Sequence, residues 1–172
     1  MKSIILKYGG LSGAMMALLM FCTVLVTKNG DFDKAEYIGF VGMVIAFSPI
    51  FFAILKFRKT IGVNSISFGN GLIIGLLMVV IAAVIYSLSW LVIYYYITPD
   101  FADKYSAYTV AKMKAAGESP AKISESIARM NDYKEKCKNP FYAFAITFCE
   151  PLLPGIILSL IASLILKRKA KV

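Results

Sequence analysis

Four stretches of this chain are apolar, almost free of charge and long enough to cross a lipid bilayer, and no other feature limits its fold as much. They run over about 8–27, 37–55, 72–97 and 141–166, and Glu150 is the one Asp, Glu, Lys or Arg inside them. A hydrocarbon core about 30 Å thick takes about 20 residues of helix, because in lipid the backbone amides can be satisfied only within the segment itself. Composition agrees: 59% of the residues are hydrophobic and 17% are charged, against about 25% charged in an ordinary soluble domain. The expected fold is all-α, a polytopic membrane protein with 1–172 as a single membrane domain. It has four transmembrane helices and an extracytoplasmic helical hairpin inserted at about 99–140.

Lys2 and Lys7 ahead of the first apolar run could open a signal peptide. That run exceeds the usual apolar region of about 7–15 residues, and its end, LVTKNGD, offers no small-x-small cleavage site. Phe21 stands where a lipoprotein signal would need a small residue before Cys22. The first helix is expected to stay in the mature protein.

Orientation is read from the cations. The N-terminal segment, the loop 56–69 and the tail after Leu166 are rich in Lys and Arg and hold no acid, whereas the loops 28–36 and 99–140 mix both signs. Cations concentrate on the cytoplasmic side. Both termini are therefore expected inside, in a bacterial inner membrane, with 99–140 on the extracytoplasmic side. Lys56, Arg58, Lys59, Lys167, Arg168 and Lys169 are placed to meet anionic lipid headgroups. The formal net charge of +9 is spread over such flanking segments, without a phosphate loop or an aromatic platform, so nucleic acid is not an expected partner.

The long connection reads as two helices. Asp100 is expected to cap the first, with Phe101, Tyr105 and Tyr108 on one face, and Gly117 to end it. Ser119 caps the second with Pro120 at its first position, and Ile123, Ile127 and Met130 form an apolar stripe that packs on the bundle or binds a partner. Tyr86, Trp90, Tyr94, Tyr95 and Tyr96 end the third span as an aromatic belt of the kind found where bilayer meets water.

Small residues at intervals of four mark faces for close helix packing. They are Gly9, Gly13 and Ala17 on the first span, Gly71 and Gly75 before and within the third, and Gly155, Ser159 and Ser163 on the fourth. Such faces serve internal packing first and a dimer contact second.

The chain has no histidine, which removes His-based acid–base catalysis and His-ligated metal sites. Cys22 and Cys149 fall in the membrane and Cys137 is expected exposed outside, so there is no disulfide framework and no metal-ligand spacing. Gly10-Leu11-Ser12-Gly13 matches the Gly-x-Ser-Gly of rhomboid intramembrane proteases, but the histidine base that would activate the serine is missing. No cofactor is expected, and the chain is not expected to be an enzyme.

KYGGLSGAMMALL near the start, EYIGFVGMVIAFSPIFFAILKFRKTIGVNSISFGNGLIIGL in the middle, MKAAGESPAKISESIARM in the long loop and SLIASLILKRK near the end resemble a bacterial four-helix membrane family catalogued as a domain of unknown function, DUF4199. The start of the second span at Glu36, Tyr37, Ile38 and Gly39, and Arg58 followed by Gly62 and Ile66, Ser67 and Phe68, carry most of the likeness. The resemblance implies a four-helix inner-membrane protein. It brings no catalytic residue, and Glu150 is not part of the family's pattern.

Glu150 stands in the run ITFCEPLLPG. Pro151 and Pro154 lack amide hydrogens, and residues before proline are pushed away from α geometry, so the fourth helix is expected to break there; Pro49 is expected to break the second. Glu150 either caps the half-helix that follows, at its positive end, or stays at depth, about 13 Å below the outer boundary at about 1.5 Å per residue. Ser48 and Tyr86 reach similar depth, and with no cation among them the acid would be hydrogen-bonded and protonated. An intramembrane carboxyl is a candidate ion or proton site. Pro49 and Pro154, at matching positions in two halves that each open with glycines, are the kind of repeated break seen at transporter sites.

These observations favour a non-enzymatic structural or accessory membrane protein that binds a partner, through its hairpin or a small-residue face, or forms a homo-oligomer. The alternative is a small oligomeric transporter or channel subunit with an ion or proton site formed by Glu150, Ser48 and Tyr86.

Overall fold

The computed structural model describes residues 1–28, 32–60 and 65–168. Its elements are α1 (Lys2–Lys28), α2 (Phe32–Ala46), α3 (Pro49–Thr60), α4 (Phe68–Val92), a π turn (Ile93–Ile97), α5 (Phe101–Ala115), α6 (Pro120–Lys136), α7 (Pro140–Cys149) and α8 (Leu152–Leu166). Four rods are long and apolar enough to cross a membrane: Lys2–Thr27, Phe32–Thr60, Phe68–Ile97 and Pro140–Leu166. The chain is thus a four-helix membrane protein with a helical hairpin, α5–α6, between its third and fourth spans.

The spans pack out of chain order. α4 lies between α1 and the α7–α8 rod, while the α2–α3 rod closes the ring against α1 and, through α3 above all, against α8. Glycines permit this closeness. A Cβ on Gly13 would stand 2.6 Å from Ile85 and one on Gly9 3.2 Å from Ile81, which brings α1 onto α4. On the other side of α4, Gly71 and Gly75 face Ser163 and Ser159, and Gly155 faces Val79 and Phe47. The buried centre formed by Phe47, Ile50, Ile54, Ile74, Met78, Val79 and Ala82 lies between these contacts.

The two broken rods differ. At the α2–α3 junction the Ser48 amide turns back to the Ile45 carbonyl, and Pro49 starts α3, where a missing amide hydrogen costs no helical bond. At the α7–α8 junction the expectation needs correction. Glu150 keeps helical dihedrals (φ −58°, ψ −52°) and so does Leu153, inside α8; the break is one tight turn at Glu150 and Pro151. Pro154 breaks nothing: it lies in the first turn of α8, whose amides have no intrahelical acceptor in any case. The pre-proline bias is a preference, and the packing of α7 and α8 along α4 overrides it.

The hairpin is tied down along α5. Phe32, at the start of α2, packs on Phe101, Tyr105 and Tyr108 with ring centroids 5.0 to 6.1 Å apart. Lys112 pairs with Asp33, and Lys134 with Asp103. Gly117, at φ +72°, makes the turn between the helices in a backbone region that side chains disfavour. Ser119 accepts the Lys122 amide as an N-cap, whereas Asp100 makes no cap bond and pairs with Lys104 at 2.6 Å. That ion pair holds the Asp100 carboxyl below the usual carboxylate range.

At the opposite end of the bundle Ile66 and Arg168 exchange both backbone hydrogen bonds. Arg58 donates to the Leu166 carbonyl at 3.4 Å, so this cation, expected at the headgroups, is partly buried and engaged with the end of α8. Lys56, Lys59, Lys167 and Arg168 are exposed, and Lys169 lies outside the described residues.

Candidate functional site

Tyr86 projects from α4 towards the α7–α8 turn, and its hydroxyl donates to the Glu150 Oε2 at 2.9 Å. The turn sets this up. Pro151 has no hydrogen for the Thr147 carbonyl, which instead takes the Glu150 amide at 3.3 Å. The helix thus tightens by one residue and Glu150 is carried to the surface of the rod, where it stays exposed. The expected half-helix cap is not formed: α8 is preceded by Pro151, with no side-chain cap bond. Among the described residues, Tyr86 is the one side chain hydrogen-bonded to the Glu150 carboxyl.

Tyr86 also lines a cavity of about 40 Å³ with Met16, Leu19, Met20 and Thr23 from α1 and Gly39 and Met43 from α2. At roughly 10–15 Å³ per molecule this is room for a very few waters. The space lies where α1, α2 and α4 meet, and Gly39 has nothing within 4 Å of where a Cβ would stand. Ser48 lies partly buried at the α2–α3 turn and is not joined to the pair, so of the three expected polar residues the fold brings Tyr86 and Glu150 together.

The aromatic end of α4 is less a belt than a socket. Tyr94 is buried with Cys137 and Ala143, Trp90 packs edge-on to Phe101 at 5.1 Å, and the Tyr95 hydroxyl donates to the Cys137 carbonyl. Tyr96 alone of the set is broadly exposed, at 83%. Cys137, expected to be exposed, is 1% exposed. It ends α6 one turn after Tyr133, to which it is hydrogen-bonded, and is drawn under the hairpin by Tyr94. Burial pushes the Cys137 thiol up and the Tyr133 hydroxyl up likewise. The spacing of four between Tyr133 and Cys137 was the sequence signal for this contact; the lone polar loop around it concealed the burial.

A carboxyl with a single hydroxyl partner can exchange a proton, take a cation or receive a donor from another molecule. No group of three His, Cys, Asp or Glu side chains with metal-binding geometry occurs among the described residues.

A family model described as "Protein of unknown function (DUF4199)" matches residues 7–168. No curated protein and no solved structure matches the chain.

Proposed function

We propose that this chain, which belongs to the DUF4199 family, is a non-enzymatic accessory protein of a bacterial inner membrane that holds a partner on its α5–α6 hairpin. The observation that carries this reading is the position of Ile127. The hairpin is anchored along α5, and Ile123 and Met130 on α6 are half-buried, yet Ile127 between them remains 37% exposed. The small-residue faces are meanwhile consumed inside the bundle, so the hairpin is the better candidate for outside contact. Dense cations at Lys56, Lys59, Lys167 and Arg168 favour cytoplasmic termini, with the hairpin on the far side and these residues against anionic headgroups. Replacing Ile127 with Asp should abolish photo-crosslinks from a probe at Ala128 in native membranes while the melting temperature of the purified chain is unchanged. Unchanged crosslinks would refute the reading.

One observation favours a second reading, a transporter or channel subunit: Tyr86 contacts both the Glu150 carboxyl and a cavity large enough for water. Proton or cation flux in reconstituted vesicles that disappears in Glu150→Gln would support it, and no wild-type flux under either gradient would refute it.

A further inference from the structure

We propose that Glu150 marks the face on which two copies of this chain pair within the membrane, each carboxyl meeting its twin across a two-fold axis. From Pro140 to Glu150 is about 15 Å of helix, and from Glu150 to Leu166 about 24 Å, at about 1.5 Å per residue. A rod of that length overhangs a core of about 30 Å at both ends, which leaves Glu150 about 10 Å inside the hydrocarbon. At this depth the carboxyl is exposed on the rod's surface and has one hydrogen bond, through Oε2. Oε1, and the proton that a carboxyl carries in lipid, are unmatched among the described residues. The spans themselves contain no cation that could reach it.

A carboxylic acid is both donor and acceptor, so its natural complement in an apolar medium is another carboxylic acid. A two-fold axis beside Glu150 provides that, because such an interface sets the same residue of each copy against itself. The neighbouring surface suits the arrangement. Leu153 and Ile157, one and two turns on, are 68% and 47% exposed, and Cys149 is exposed beside them. Apolar side chains have no hydrophobic drive to associate in lipid and contribute only through packing, whereas a polar group with unmet bonds adds a hydrogen bond to that packing. This separates the Glu150 face from the other apolar faces of the bundle. The inference is independent of the hairpin reading, since it uses a different surface.

The test uses the full chain in lipid vesicles. Cys149 and Cys22 are exposed and Cys137 is buried, and α1, which carries Cys22, has no extensive contact with the α7–α8 rod. A short bismaleimide should therefore link two copies through Cys149 in a Cys22→Ser background, and fail to link them through Cys22 in a Cys149→Ser background. Resonance energy transfer between chains labelled at a cysteine replacing Lys59, an exposed site away from this face, in a Cys22→Ser, Cys149→Ser background and followed as lipid is added, measures the pairing. Glu150→Leu should raise the density needed for half-association by about ten-fold or more, equivalent to about 1.4 kcal/mol. Glu150→Gln, whose amide also donates and accepts, should stay within about three-fold of wild type. Should Glu150→Leu fail to fold, Leu153→Trp leaves every hydrogen bond of the single chain in place and should separate the copies by bulk. A wild-type chain that is monomeric at every density, equal crosslinking through Cys22, or variants that pair as wild type does would overturn the proposal.

Discussion

Glu150 and Tyr86 are a pair in which each residue's contribution can be separated. Tyr86→Phe removes the donor and keeps the ring against the cavity wall; it should lower stability by about 1 kcal/mol, the ordinary net worth of one hydrogen bond. Glu150→Gln leaves an oxygen to accept from Tyr86 and should melt within about 0.5 kcal/mol of wild type, since polar contacts between membrane helices average about 0.6 kcal/mol. Glu150→Ala leaves the hydroxyl unmatched and should cost about 1–3 kcal/mol. Thermal melts of the three variants in one detergent check the order; a Gln variant as unstable as the Ala variant would show that the carboxyl, and not its acceptor oxygen, is needed. The importance of Tyr86 was partly legible, because counting depth along the helices set it level with Glu150. Ser48 satisfied the same count and is not in the site, because depth fixes height along the bundle and says nothing about which way a side chain faces.

Two elements carry the packing and the base of the hairpin. Where α4 meets α8, a Cβ at position 75 would stand 2.6 Å from the Ser159 Oγ and 2.7 Å from its Cβ, so Gly75→Ala should destabilise by about 1–3 kcal/mol through overpacking. The same change at Gly39, which faces open space, should be neutral or mildly stabilising, and guanidinium or thermal unfolding of both variants distinguishes the two positions. At the end of α6, burial raises both the Cys137 thiol and the Tyr133 hydroxyl above their ordinary values of 9.0 and 10.0. The folded state thus holds these protons more tightly than the unfolded chain does. Their contribution is intact below the ordinary thiol range and is lost as pH rises through the folded values. The melting temperature should therefore fall as pH is raised from about 8 to about 11, and fall less steeply in a Cys137→Ala, Tyr133→Phe variant.

For the whole molecule, the arrangement in the bilayer is open to direct measurement. Cys137 cannot report on topology, because it is buried under the hairpin, so new cysteines are needed at exposed positions. A cysteine replacing Glu125 on α6 and one replacing Lys59 at the end of α3 are both at exposed sites. In a Cys22→Ser, Cys149→Ser background, an impermeant maleimide should reach the first in intact spheroplasts and the second only after lysis. The reverse pattern would invert the orientation read from the cations, and labelling of both from outside would break the four-span topology.

The sequence by itself determined the class of fold and the ends of its parts. Uncharged runs of span length permit little but helices in lipid, because unpaired amides are too costly there, and Ser119, Pro120 and Gly117 wrote the hairpin's turn and cap locally. Which span lies beside which was decided by tertiary structure, since the apolar runs are alike in composition and the choice of α4 as the centre depends on how Gly13, Gly75 and Gly155 fit Ile85, Ser159 and Val79 in three dimensions. The same holds for the two residues that most changed meaning. Cys137, in a polar loop, is buried because the hairpin folds back on Tyr94, and Glu150, beside a proline that suggested a cap, is turned instead towards a tyrosine 64 residues away. Both outcomes rest on contacts between distant parts of the chain, whose geometry no local pattern encodes.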